Sequence, residues 1–271
     1  MTGGAEPGAS SAAGTRPPAA GSATGTVPAA VVEAAGADRV DLWVIRTDQP
    51  APVVRRLRDL LDRTELDRAG AGRDQVRTDR FTVVHGVVRL LTAERLGAAP
   101  AELAWRRGPH GKPEPVTDDG ATGPRLQISY SASGALAVLA LAEGRRVGAD
   151  VEEIRDERVA ARVAGRYFPD GDVRFVAAAR SPGARAERFA RLWCRREACV
   201  KVYGGRLAQG LGLPLAGPAP LRLPDAGALD PGPCWIRDVP VPGPFRAAVA
   251  VEGDRPFEVR RRRWTPDADR R

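Results

Sequence analysis

The chain has 271 residues, enough for one large domain or two small ones, and a formal net charge of +8. Three cysteines (Cys194, Cys199 and Cys234) with no CxxC pair or histidine cluster argue against a disulfide scaffold or a structural zinc site, and for a reduced, cytosolic protein. The longest apolar run, 134–142, is far short of the roughly 20 residues of a membrane span, and no basic segment followed by an apolar core marks a signal peptide.

Residues 1–37 are Ala-, Gly-, Ser- and Pro-rich with almost no aliphatic bulk, and are expected to be a disordered extension. Residues 40–45 predict a strand. A helical pattern over 53–67 carries Leu57, Leu60 and Leu61 on one side. Residues 73–77 are polar, and a long helix follows over 79–96. Phe81, Val84, Val88 and Leu91 form its apolar stripe, Arg80 and His85 its polar face, and Gly97 its end.

Residues 103–105 read as a short strand and 107–124 as a polar loop. Strands are predicted at 126–131 and at 135–141, the latter apolar on both faces and therefore central. After a turn at 143–146 come a strand at 147–154, a helix at 158–166 and a long helix at 184–203. A Pro/Gly-rich loop occupies 207–233. Strands follow at 234–239, 245–251 and 257–264, then a frayed tail at 265–271.

Each half thus runs strand, two helices, three strands. The expected fold is an α/β (α+β) pseudo-duplication with halves at 38–145 and 146–264, each a long helix packed on an antiparallel sheet. The cleft between them is the natural ligand site.

Chemistry concentrates at 148–152 and 193–201. Asp150 and Glu152 are two apart and share one face of a strand; Trp193, Glu197 and Lys201 are four apart and climb one side of a helix. Glu197 and Lys201 border the buried stripe of Phe189, Leu192, Trp193, Val200 and Tyr203. Three carboxylates and a lysine suffice to hold Mg²⁺ against a phosphate. The same spacing is met by a surface Glu–Lys pair and two solvated acids. Of the 42 lysines and arginines, only Lys112 and Lys201 are lysine.

Five pieces in order then resemble the Sfp-type 4′-phosphopantetheinyl transferases: Arg80-Phe81 through Arg89-Leu90-Leu91, Gly111-Lys112-Pro113, Ile128-Ser129-Tyr130-Ser131, Gly148-Ala149-Asp150-Val151-Glu152, and Trp193 through Lys201 with Gly204-Gly205. Both signature patterns, G-x-D-x-E and W-x-x-[KR]-E-[AS]-x-x-K, are complete.

The resemblance implies two similar α/β halves with the site between them. It also implies transfer of the phosphopantetheine arm of coenzyme A to a serine of an acidic acyl or peptidyl carrier protein, releasing adenosine 3′,5′-bisphosphate. Asp150, Glu152 and Glu197 would hold Mg²⁺, with Lys201 on the phosphates and Glu197 as general base. Arg80, Lys112, Pro113, Ser129, Tyr130, Asp150 and Lys201 would bind the coenzyme. Where the family commonly has Ser-His-Ser, this chain has Ser129-Tyr130-Ser131, so the 3′-phosphate would meet a phenol instead of an imidazole.

His110 is expected to be a loop residue and His85 a packing or surface residue. The carrier is expected to touch 168–185 or 205–214. The protein is expected to be a cytoplasmic monomer serving pathways such as secondary-metabolite synthesis, with no membrane or nucleic-acid partner. Two other readings are a degenerate member that binds coenzyme A or carrier without turnover, and a basic nucleic-acid-binding module. The complete acid–lysine set speaks against the first, and the interleaved acids against the second.

Overall fold

The computed structural model describes residues 38–266 except 73, 109, 117–125 and 231. The expectations for 1–37 and for the end of the tail lie outside the described residues.

The first half opens with β1 (Asp38–Arg46), α1 (Ala51–Arg58), α2 (Arg63–Gly70) and α3 (Gln75–Leu96). The single helix expected over 53–67 is two. Asp62 interrupts it: its side chain accepts from Glu65 N while the Glu65 side chain accepts from Asp62 N, a reciprocal cap that starts a new helix. α3 begins four residues before its expected start, capped by Asp74, and ends at Gly97 in the left-handed region (φ 66°).

β2 (Trp105–Arg107) pairs with β3 (Pro113–Pro115), a strand inside the segment expected to be a loop. β4 (Leu126–Ser133) and β5 (Leu136–Glu143) follow, and β5 is buried along seven of its eight residues, as its unbroken apolar run requires.

After β5 come β6 (Val147–Glu153), α4 (Glu157–Tyr167), α5 (Asp170–Ala177), α6 (Pro182–Tyr203), α7 (Leu207–Gly210), β7 (Leu221–Leu223), β8 (Cys234–Val239), β9 (Phe245–Glu252) and β10 (Phe257–Arg263). The segment 207–233 is therefore not wholly irregular: α7 and β7 lie within it.

Two four-stranded sheets result, ordered β10-β1-β5-β4 and β6-β9-β8-β7. The last strand, β10, runs parallel to β1, so the first sheet takes its edge strand from the far end of the chain. Each sheet carries one 22-residue helix, α3 or α6. This is a mixed α+β fold of the expected kind.

α6 lies against β6 and β9. Gly148 sets how closely: a Cβ there would sit 1.9 Å from Ala198 O and 2.7 Å from Val202 N, both helix backbone. The glycine of the G-x-D-x-E pattern is thus the contact point that lets the helix acids approach the strand acids. Gly148→Ala should force the helix off the sheet and cost about 1–3 kcal/mol or more. The check is a lowered denaturation midpoint; a wild-type midpoint would show that the helix has room to shift.

Candidate active site between the two halves

Asp150 and Glu152 project from one face of β6, and Glu197 and Lys201 from one side of α6. The Asp150 side chain is only 2% exposed, and Lys201 Nζ sits 2.6 Å from its Oδ1. Ser131 of β4 completes a triangle: its Oγ donates to Asp150 Oδ1 at 2.7 Å and accepts from Lys201 Nζ at 3.0 Å. Asp150 Oδ2 is buried and has no hydrogen-bond partner among the described residues. Ser133 Oγ donates to Glu152 Oε2 at 3.1 Å, and Arg155 stands 3.6 Å from the same oxygen.

Burial, then the charge of Asp150, pushes the Glu152 carboxyl above its ordinary range. Glu197 is pushed up first by burial; Lys201 opposes this, while Asp150 and Glu152 reinforce it. Three carboxylates therefore repel one another in a partly dry cleft, with one oxygen orphaned. This is the electrostatic deficit a cation fills. As they stand, no three His, Cys, Asp or Glu side chains among the described residues are grouped tightly enough to hold a metal ion.

Two cavities flank the cluster. One, of about 610 Å³, is lined by Arg68, Arg77, Arg80, His85, Tyr130 and Ser131, among others. Arg80 Nε is buried there and has no hydrogen-bond partner among the described residues. Burial raises the Tyr130 phenol above its usual value, with Arg107 and Arg68 opposing. The other cavity, of about 190 Å³, is lined by the charged Glu152, Glu153, Arg155 and Glu197 and by the apolar Val159, Val163, Phe189 and Trp193, among others.

His85 is not on a solvated face. It is 6% exposed, stacks on Phe81 at 3.9 Å and meets Tyr130 edge-on at 5.5 Å. Its Nδ1 lies 3.1 Å from Glu65 Oε1, and Glu65 in turn accepts from the buried Arg89. Burial alone would raise the Glu65 carboxyl, but the His85 and Arg89 hydrogen bonds outweigh it and hold it low. The sequence offered no sign of this pairing, because Glu65 and His85 lie 20 residues apart on different helices.

Of the remaining coenzyme candidates, Lys112 is half-buried. It donates to the carbonyls of Val147 at 2.9 Å and Val202 at 3.3 Å, tying β6 to the end of α6. Burial lowers its ammonium to about 8. Pro113 opens β3 opposite Arg107. Ser129 is buried, and its Oγ accepts from Ala149 N at 2.9 Å. None of these three lines either cavity, whereas Arg80 and Tyr130 do.

The three cysteines are buried and free, and Cys199 and Cys234 lie with Sγ atoms 3.9 Å apart. No described helix is long and apolar enough to cross a membrane.

Taken together, the fold and this cleft define an α+β protein with two four-stranded sheets, whose acids and lysine adjoin a cationic cavity on one side and a part-apolar hollow on the other. Residues 146–226 match the model of the 4′-phosphopantetheinyl transferase superfamily. The chain is 28% identical over 219 residues to the 4′-phosphopantetheinyl transferase HetI of Nostoc sp., covering 80% of this chain and 89% of that one. It is 33% identical over 187 residues to the L-aminoadipate-semialdehyde dehydrogenase-phosphopantetheinyl transferase of Eremothecium gossypii (65% of this chain, 58% of the relative). A phosphopantetheinyl transferase of Thraustochytrium sp. is 30% identical over 185 residues (64% and 63%). The resemblance carried by the motifs is thereby shown: the chain is related to the phosphopantetheinyl transferases.

Proposed function

We propose that this protein transfers 4′-phosphopantetheine from coenzyme A to a serine hydroxyl of an apo acyl or peptidyl carrier protein, leaving adenosine 3′,5′-bisphosphate. The observation that carries this reading is the Asp150–Glu152–Glu197–Lys201 cluster, with its orphaned carboxylate oxygen, set beside a cavity lined by arginines.

Arg80 and Tyr130 receive the nucleotide end, where a 3′-phosphate needs cations and donors. Lys201 binds the pyrophosphate. The uncharged pantetheine arm takes the hollow walled by Phe189 and Trp193. Asp150, Glu152 and Glu197 would hold Mg²⁺, which when bound neutralises charge on the departing phosphate. The serine oxygen forms the new bond to phosphorus, the bond to the nucleotide phosphate breaks, and Glu197 takes the serine proton.

A carrier with acids around its serine matches the chain's +8 charge, which steers encounter. The same reading has the protein working in the cytoplasm, as a monomer, in pathways such as secondary-metabolite synthesis.

The test is mass spectrometry of an apo carrier incubated with the protein, coenzyme A and Mg²⁺. A gain of one phosphopantetheine arm, lost without divalent metal, is the expected result. No gain on acyl and peptidyl carriers alike would overturn the reading.

Tyr130→Phe removes a donor from the nucleotide cavity. Losing one hydrogen bond to a charged group should raise KM for coenzyme A about tenfold, with kcat little changed. An unchanged KM would remove Tyr130 from the binding set.

A further inference from the structure

We propose that Ser131 is a positioning residue: it fixes which oxygen of Asp150 faces a bound cation and holds the Lys201 ammonium beside it. The inference rests on the reading above, and it arises from how the two halves are joined.

Strands β4 and β6 belong to different sheets, yet lie side by side. Ser129, Ser131 and Ser133 alternate along β4 and so share one face. All three hydroxyls grip β6. Ser129 takes the Ala149 N–H at 2.9 Å. Ser131 donates to Asp150 at 2.7 Å. Ser133 donates to Glu152 and takes the Glu153 N–H, both at 3.1 Å. Side chains, not a backbone ladder, thus join the halves at the site.

Ser131 differs from its neighbours in what it holds. A hydroxyl has one proton and two lone pairs. Here the proton goes to Asp150 Oδ1 and a lone pair to Lys201 Nζ, which also contacts Oδ1 at 2.6 Å. Both bonds load the same oxygen. The torsion that turns a carboxylate is broad, so its contacts decide which oxygen faces where; besides Ser131 and Lys201, the buried Cys194 thiol also meets this carboxylate. With Oδ1 engaged twice, Oδ2 is left buried and without a partner among the described residues. Ser131 also forms part of the wall of the cationic cavity. One hydroxyl therefore links the nucleotide side of the cleft, the lysine and the acid.

The experiment uses the full chain as wild type, Ser131→Ala and Ser131→Thr. Free Mn²⁺ is followed by electron paramagnetic resonance during titration, carrier modification by mass spectrometry, and melting temperature alongside. Loss of a group that orients a ligand typically weakens metal binding about 10–100-fold. Ser131→Ala should therefore weaken Mn²⁺ binding at least tenfold and lower kcat with KM for coenzyme A unchanged. Ser131→Thr, which keeps the hydroxyl, should restore both.

A merely structural serine would lower the melting temperature of Ser131→Ala and leave Mn²⁺ affinity alone; that result overturns the proposal. Equal Mn²⁺ affinity in all three proteins overturns it too. A wild type that binds no Mn²⁺ also overturns it, and whether the transferase reading fails as well is decided separately by the carrier's mass.

Discussion

Glu197→Gln is expected to abolish carrier modification and, at neutral pH without divalent metal, to raise the melting temperature. The two effects share one cause. Burial and the charges of Asp150 and Glu152 raise the Glu197 carboxyl despite the opposing ammonium of Lys201. Glu152 is raised by burial and by Asp150. A carboxyl raised on folding binds its proton more tightly in the folded than in the unfolded chain. Its contribution to stability is greatest at low pH. That contribution is lost as the pH climbs from the ordinary carboxylate value through the raised one.

Above the raised values the folded protein carries an ionised, crowded cluster, and glutamine removes one of its charges at nearly constant shape. The same change removes the proton acceptor for the serine and one metal oxygen, so turnover should fall about 10²–10⁴-fold or more. Adding Mg²⁺ should raise the melting temperature of the wild type and do less for the variant, because a ligand stabilises only the state that binds it. A variant that melts below wild type without metal would show that the carboxylates do not strain the apo fold. A variant with wild-type turnover would remove Glu197 from the chemistry.

The acid–lysine cluster was legible because two short periods suffice to define it. Asp150 and Glu152 alternate on a strand; Glu197 and Lys201 recur on a helix; Gly148 between Val147 and Ala149 supplies the close approach. The break between α1 and α2 was also written locally, since Asp62 and Glu65 have the spacing of a reciprocal helix cap. The run Leu57, Leu60, Leu61 continues the apolar pattern across it and hides the break. β3 was masked by its own residues, Pro-Glu-Pro, which discourage a strand assignment away from a sheet edge.

Other features had no local signal. Residues 38–44 pair in parallel with 257–263, across most of the chain. His85 is drawn inward by Glu65 and Arg89 from another helix and another turn. The grip of the β4 serines on β6 exists only once the two sheets meet.

Arg196→Leu is expected to be among the most destabilising single changes in the chain. The [KR] position of the W-x-x-[KR]-E pattern has the look of a solvent-facing helix cation, yet the Arg196 side chain is fully buried. Its guanidinium pairs with Asp172, whose side chain is 2% exposed, and donates to the carbonyls of Leu192, Leu211 and Leu213. It also lies 3.7 Å over the Phe168 ring. Asp172 in turn accepts from the backbone of Leu215 and Ala216.

One buried pair thus fastens the segment after α7 beneath the helix that carries Glu197 and Lys201. Leucine would leave the Asp172 charge without its cation and the Leu211 and Leu213 carbonyls without the guanidinium donor, while the Leu192 carbonyl keeps its helix donor. Breaking such a pair costs about 3–5 kcal/mol, a large part of the roughly 5–15 kcal/mol that holds a domain folded. The denaturant midpoint measures it.

Arg196→Lys separates charge from shape. An ammonium can pair with Asp172 but cannot reach three carbonyls and stack on a ring at once, so lysine should recover less than half of the loss. A lysine variant at the wild-type midpoint would mean that charge alone holds the segment and that the hydrogen bonds to Leu192, Leu211 and Leu213 contribute little.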